Sequence, residues 1–337
     1  MGWHSEKERA KIGFNEWVYF NFFSSKIDGI IIYGCANGHP GVLSAQMFPK
    51  TESQVPSVIN DYNFSLDDVE KSKDSYDINI GESSLISKID NAYIAGLMED
   101  KENSIKWGLD YNHLIPSIDN AFEENFGNVL FGNLFDEYIG WKIFSPKSSV
   151  KGKVEVNGKM YDVDGYGYND SNYGRWLVAI DFKTHWNWIT AFNCYEKYCV
   201  LGMNIRNEPE KGALYFSSDS ESVEFKCNKD TFKHLEFESD KKTGIMKPVK
   251  TLIVAENDEG YKLEALADNY KDYIFEQKLP FPLSFIRWSL IENFVDIKGH
   301  LNYPNGFRKE IEARGLKEYG VTSVLPDWLR KIFRRFD

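Results

Sequence analysis

Short segments rich in β-branched and aromatic residues, each closed by a turn signal, recur along this chain and constrain its fold more than any other feature. Glu16-Trp17-Val18-Tyr19-Phe20-Asn21-Phe22-Phe23 is one such segment, and Asp28-Gly29 then turns into Ile30-Ile31-Ile32-Tyr33. Val154-Glu155-Val156 and Met160-Tyr161-Asp162-Val163 flank Asn157-Gly158, the two-residue turn favoured by tight hairpins. Further strands are predicted over 175–182, 184–199, 214–216, 222–227, 231–238 and 251–255. Short strands with a turn roughly every 8–12 residues predict an all-β barrel or sandwich.

Helical signals are few. Leu263 to Phe275 fits either a helix or a strand. In the last segment Trp328, Leu329, Ile332, Phe333 and Phe336 share one helical face, with Arg330, Lys331, Arg334 and Arg335 around it. That pattern predicts a short C-terminal helix packed on the barrel. The other reading is weak contact with an anionic membrane surface. The acidic stretch 61–84 is expected to be an exposed hairpin or loop. Asn204 to Gly212 is the best linker candidate, which divides 337 residues into domains 1–205 and 206–337.

A net charge of −11 argues against a nucleic-acid partner, whose phosphates need a basic face. Phe, Tyr and Trp make up 15% of the chain, so a large aromatic-lined interior is expected. Cys35, Cys194, Cys199 and Cys227 show no C-x-x-C spacing and are expected to be buried and reduced. No secretory signal, myristoylation pattern or 18-residue apolar run is present, so a cytoplasmic monomer or homodimer is expected. Neither metal-ligand spacing, nor a phosphate loop, nor a serine-hydrolase elbow occurs, so no metal site and neither nucleotide-dependent nor serine-hydrolase chemistry is expected.

The densest polar stretch runs from Asp162 to Trp188. Gly165, Gly167 and Gly174 are expected to bend the backbone around Tyr168-Asn169-Asp170-Ser171-Asn172-Tyr173. One reading is a turn that caps its own backbone. The other is a site in which a carboxyl among rings is desolvated and kept protonated as an acid. Trp186, Trp188 and Thr190 alternate onto one strand face, with His185, Asn187 and Ile189 on the other. The Trp pair reads as core or as a surface for a flat polyene or cation.

Four ordered blocks resemble the carotenoid 1,2-hydratase and AttH-type lipocalin-like family, to which several decalin-forming Diels–Alderases are similar. They are Glu16-Trp17-Val18-Tyr19-Phe20 with Asp28-Gly29, then Trp141 through Ser145-Pro146 to Gly165-Tyr166-Gly167-Tyr168. Asp170-Ser171-Asn172-Tyr173-Gly174 with Trp186-Asn187-Trp188 follows, and the ending is Ile291-Glu292-Asn293 with Gly315-Leu316-Lys317-Glu318-Tyr319-Gly320. The resemblance implies two lipocalin-like β-barrel or sandwich domains, an apolar pocket at or near their interface, long hydrophobic substrates and no cofactor.

It also implies a site. Asp170 matches the family's acid, with Tyr168, Asn172 and Tyr173 as catalytic partners. Glu16, Trp17, Trp141, His185, Trp186 and Trp188 would line the substrate. The family's usual His and Trp are Ser171 and Tyr173 here, and Asn169 precedes the acid, which shifts the balance from hydration toward cyclisation. The expected function is therefore cyclisation, Diels–Alder-type or proton-initiated, or acid-catalysed hydration of a polyene, terpenoid or polyketide. The alternative is a non-catalytic carrier of a hydrophobic ligand.

Overall fold

The computed structural model describes residues 14–323 apart from 37–38, 52–56, 60–65, 73–74, 89, 128–136, 176–185, 207, 241–244 and 279–286. The described residues form strands and turns with no helix, so the chain is all-β. The C-terminal helix expected at 326–337 and His185 lie outside the described residues. The chain divides into two compact units, Met1–Leu177 and Val178–Asp337.

The first unit holds β1 (Phe14–Ser24), β2 (Ile27–Ala36), β3 (His39–Pro49), β4 (Ser57–Ile59), β5 (Leu66–Ser72), β6 (Ser75–Ile80), β7 (Ser83–Ser87), β8 (Asn91–Glu99), β9 (Ser104–His113), β10 (Ile118–Gly127), β11 (Glu137–Val156) and β12 (Lys159–Arg175). They form one antiparallel sheet in the order β4-β3-β2-β1-β12-β11-β9-β8-β7-β6-β5, with β10 also paired to β11. The sheet curls on itself. Tyr33 of β2 donates its hydroxyl to Ser84 O of β7 at 3.1 Å and accepts from Trp107 Nε1 of β9 at 3.0 Å, although these strands are far apart in the sheet order.

Phe14, Val18, Phe20 and Phe22 of β1 face into this curl and meet Ile31, Tyr33, Leu109, Tyr111, Val150 and Val154. Alternation then puts Asn15, Trp17, Tyr19, Asn21 and Phe23 on the outer face.

The Asn157-Gly158 hairpin forms as expected, with both residues at positive φ, 51° and 80°. The first hairpin turns earlier than the sequence suggested, at Ser25-Lys26, and Asp28-Gly29 lies within β2. Gly29 serves packing rather than turning: a Cβ there would lie 2.3 Å from the Phe22 ring and 2.8 Å from Met47 Sδ. The stretch 159–175, expected to bend, is one continuous strand. Gly165 and Gly167 lie under neighbouring backbone, where a Cβ would come within 2.0 Å of Phe23 O and 2.3 Å of Asn21 O. Within 61–84, β5 and β6 make a hairpin whose Ile78 and Ile80 are core residues.

The second unit holds β13 (Trp186–Phe192), β14 (Tyr198–Ile205), β15 (Glu208–Ser218), β16 (Ser222–Lys226), β17 (Phe232–Ser239), β18 (Met246–Glu256), β19 (Lys262–Lys278), β20 (Arg287–Asn302) and β21 (Arg308–Ser323). Their order is β16-β15-β14-β13-β21-β20-β19-β18-β17. The junction between units therefore falls before residue 205, because β13 and β14 pair within this second sheet. The proposed linker 204–212 is a β14–β15 hairpin in which Asn204 pairs with Gly212. Residues 263–275 are strand, because Leu263, Ala265 and Ala267 enter the core with period two.

This sheet curls as well, and a polar chain spans its open side. Lys317 Nζ donates to Thr251 Oγ1 at 2.9 Å, and Thr251 Oγ1 lies 3.0 Å from His234 Nδ1. His234 Nε2 meets Asn187 Oδ1 at 3.0 Å, and Asn187 Nδ2 donates to Asn204 Oδ1 at 3.0 Å. A neutral His234 with its proton on Nε2 satisfies every link. The four cysteines are unbridged, and Cys35, Cys199 and Cys227 are buried.

Candidate active site

Register sorts the expected site residues by face. Tyr19 of β1 pairs with Asp170 of β12, Asn21 with Tyr168, and Trp17 with Asn172. On the other side of β12, Trp141 of β11 pairs with Asn172 and Ile143 with Asp170. All project from the outer face, opposite the Phe20–Tyr111 core. That face is covered nonetheless: Asp170, Tyr168 and Trp141 are 0% exposed and Tyr19 is 3%.

The carboxyl of Asp170 is held from one side. Tyr168 OH and Trp141 Nε1 each donate to Oδ2 at 2.7 Å, and Asn172 Nδ2 approaches the same oxygen at 3.4 Å. Oδ1 is buried and has no hydrogen-bond partner among the described residues. Burial pushes the Asp170 pKa up to about 7, and the donors from Tyr168, Trp141 and Asn172 only partly offset it. Tyr168 itself is pushed far above the ordinary phenol range, first by burial and then by the Asp170 charge. The group is thus a carboxylic acid near neutral pH, with three donors on one oxygen and its other oxygen free.

Two expected partners lie elsewhere. Tyr173 and Glu16 pair with each other on the opposite face of the sheet from Asp170. Tyr173 OH donates to Glu123 Oε2 at 3.2 Å, and its ring lies over Gly140, where a Cβ would come within 2.3 Å. Asp170 and Tyr173 are three residues apart in an extended strand, an odd spacing that separates their faces.

Trp186 and Trp188 belong to the second unit and, as expected, share the face opposite Ile189. Trp186 Nε1 donates to Glu318 Oε2 at 3.2 Å, and Glu318 pairs with both Trp188 and Glu292 in register. Glu292 is 1% exposed, and Oε2 has no partner among the described residues. Burial, then the neighbouring Glu318 charge, raises its pKa well above the carboxylate range. The sequence reading missed this second buried acid. Its signal was present: Glu292 and Asn293 interrupt the apolar run Leu290, Ile291, Phe294 and Val295.

Among the described residues no cluster of three or more His, Cys, Asp or Glu side chains is arranged to hold a metal ion. No described helix is long and apolar enough to cross a membrane.

No protein-family model and no curated protein sequence matches the chain. Solved structures do. Kievitone hydratase from Nectria haematococca superposes with a TM-score of 0.62 at 11% identity, over 94% of this chain and 92% of that one. The chain shares its fold. CghA superposes at 0.60 with 10% identity, over 94% and 89%. An AttH-like protein (NE1406) from Nitrosomonas europaea does so at 0.60 with 14% identity, over 90% and 92%. The fold is the one implied by the sequence resemblance, and at these identities the likeness is of fold.

Proposed function

We propose that the chain is a cofactor-free enzyme that binds a long apolar polyene, terpenoid or polyketide and opens the reaction by protonating a carbon–carbon double bond from Asp170. The observation that carries the reading is the Asp170 carboxyl. It is fully buried, near neutral pKa, and anchored at Oδ2 by Tyr168 and Trp141 with Oδ1 unpartnered. With Oδ2 accepting every donor, the acid proton belongs on Oδ1, the oxygen left without a partner among the described residues. Trp17 and Tyr19 share this face by register and would line the bound chain.

The step balances simply. The Oδ1 proton moves to one alkene carbon, the π pair forms the new C–H bond, and the other carbon becomes a cation. In a cyclisation the π pair of a second double bond captures that cation, and the new cation loses a neighbouring C–H proton to the carboxylate, leaving a double bond. In a hydration water adds and its surplus proton returns to the carboxylate. The likeness in fold to kievitone hydratase supports chemistry of this class.

The test is turnover of a polyene panel in heavy-oxygen water, read by mass spectrometry, for the wild type and Asp170→Asn. Product that carries the label is hydration, and isomeric product without it is cyclisation. Equal turnover by Asp170→Asn sinks the acid role. Binding without turnover by the wild type makes the protein a carrier.

A further inference from the structure

Asp170 is not the only unsatisfied group on its face of the first sheet. Asn21 stands opposite Tyr168 in register and is 0% exposed. Neither its Nδ2 nor its Oδ1 has a hydrogen-bond partner among the described residues. Asn21 pairs on its other side with Ile30 of β2, and Ile30 pairs with Gln46 of β3. Gln46 is 3% exposed, and its Oε1 also lacks a partner. Cross-strand partners share a face, so Gln46, Ile30, Asn21 and Tyr168 form one row. Three strand spacings make that row roughly 15 Å long.

An amide buried without partners destabilises the empty protein. Asn21 presents a free donor and a free acceptor, and Gln46 presents a free acceptor. A ketone or aldehyde could satisfy only the Asn21 donor. A hydroxyl donates and accepts, and so completes either side chain.

We propose that Asn21, with Gln46 beyond it, is the station that recognises a hydroxyl group on the otherwise apolar substrate of the Asp170 site. The proposal rests on the reading of that site as a substrate face. It adds that the hydroxyl sits one to three strand spacings from the acid's strand, roughly 5–15 Å. Asn21 then sets which substrate is held and in which direction it lies, while Asp170 acts on it.

The test uses three probes of one shape: all-trans-retinol, all-trans-retinal and the corresponding hydrocarbon without oxygen. Binding is followed by energy transfer from tryptophan. The wild type should hold retinol about tenfold more tightly than the hydrocarbon, with retinal between them. Asp170→Asn should keep that order. Asn21→Leu should hold retinol and hydrocarbon equally, with hydrocarbon affinity no weaker, and the empty variant should melt at a higher temperature. If Asn21→Leu does not fold, Gln46→Met should narrow the preference.

A wild-type ratio near one, binding of none of the probes, a preference that survives Asn21→Leu, or one lost in Asp170→Asn would each overturn the proposal. If Asn21→Leu does not fold, a preference unchanged in Gln46→Met overturns it too. If the preference stands while Asp170→Asn turns over normally, the acid role fails and the recognition station does not.

Discussion

Tyr168 and Asp170 stand two residues apart on one strand, and the phenol donates to the carboxyl at 2.7 Å with both side chains fully buried. That donor favours the ionised acid, against the burial that disfavours it. Tyr168→Phe should therefore raise the Asp170 pKa by about one unit or more. In a pH–rate profile the alkaline limb, where the acid loses its proton, should move upward from about 7. An unmoved limb would mean that another group supplies the proton.

Asp170 also links stability to pH. Its folded pKa of about 7 lies above the ordinary 3.8, so between those values the folded state holds a proton that the unfolded chain has released. Stability from this group is full below pH 4 and declines as pH rises through 7. The loss is about 4 kcal/mol for a shift of roughly three units. Asp170→Asn should flatten the dependence in that window and melt higher than the wild type at pH 8. Glu292, raised in the same direction, leaves a residual slope of the same sign.

The polar chain of the second unit has the opposite sign. Burial, then the Lys317 and Arg206 charges, lowers the His234 pKa to about 3, and burial lowers Lys317 to about 7 despite the Asp268 charge. A base with a depressed folded pKa costs stability while it is protonated in the unfolded chain. That cost lifts as pH rises, from 3 to 6.5 for His234 and from 7 to 10.5 for Lys317. Hydrogen exchange of β18 and β21 should slow, relative to intrinsic rates, between pH 7 and 10. Lys317→Met should abolish that change.

Gly167→Ala should damage both fold and site. The new methyl would meet Asn21 O at 2.3 Å and the Tyr111 ring at 2.8 Å, which pushes β1 away from β12. Overpacking of this kind costs about 1–3 kcal/mol, more where backbone must move. Denaturant melts measure it, and the preference for retinol over the hydrocarbon should narrow because Asn21 and Tyr168 part.

Much of this was legible in the sequence, for physical reasons that can be named. Asn157-Gly158 could be read as a hairpin because few other pairs take positive φ at both positions without strain. Gly29 and the 204–212 stretch misled because glycine and proline mark close approach as well as turning. Only tertiary packing separates the two uses, here the Phe22 ring over Gly29 and the Asn204–Gly212 pairing. Asp170, Tyr168 and Asn172 were found together, and their even spacing already placed them on one face. The same arithmetic puts Tyr173, three residues from Asp170, on the opposite face. Asn21 was visible as one polar residue among Tyr19, Phe20, Phe22 and Phe23. Its lack of partners appears only when the neighbouring strands are in place.

The one-sided anchoring of Asp170 bears on handedness. A carboxyl gripped at a single oxygen can present its proton from one direction only, and a flat double bond lying on the sheet shows it one of its two sides. A carbon that gains hydrogen there would receive it on one face only and, where it then carries four different substituents, would become a stereocentre of one configuration, before any later ring closure or water capture. Loosening the grip with Trp141→Phe and Tyr168→Phe together should let the carboxyl rotate and yield mixed enantiomers.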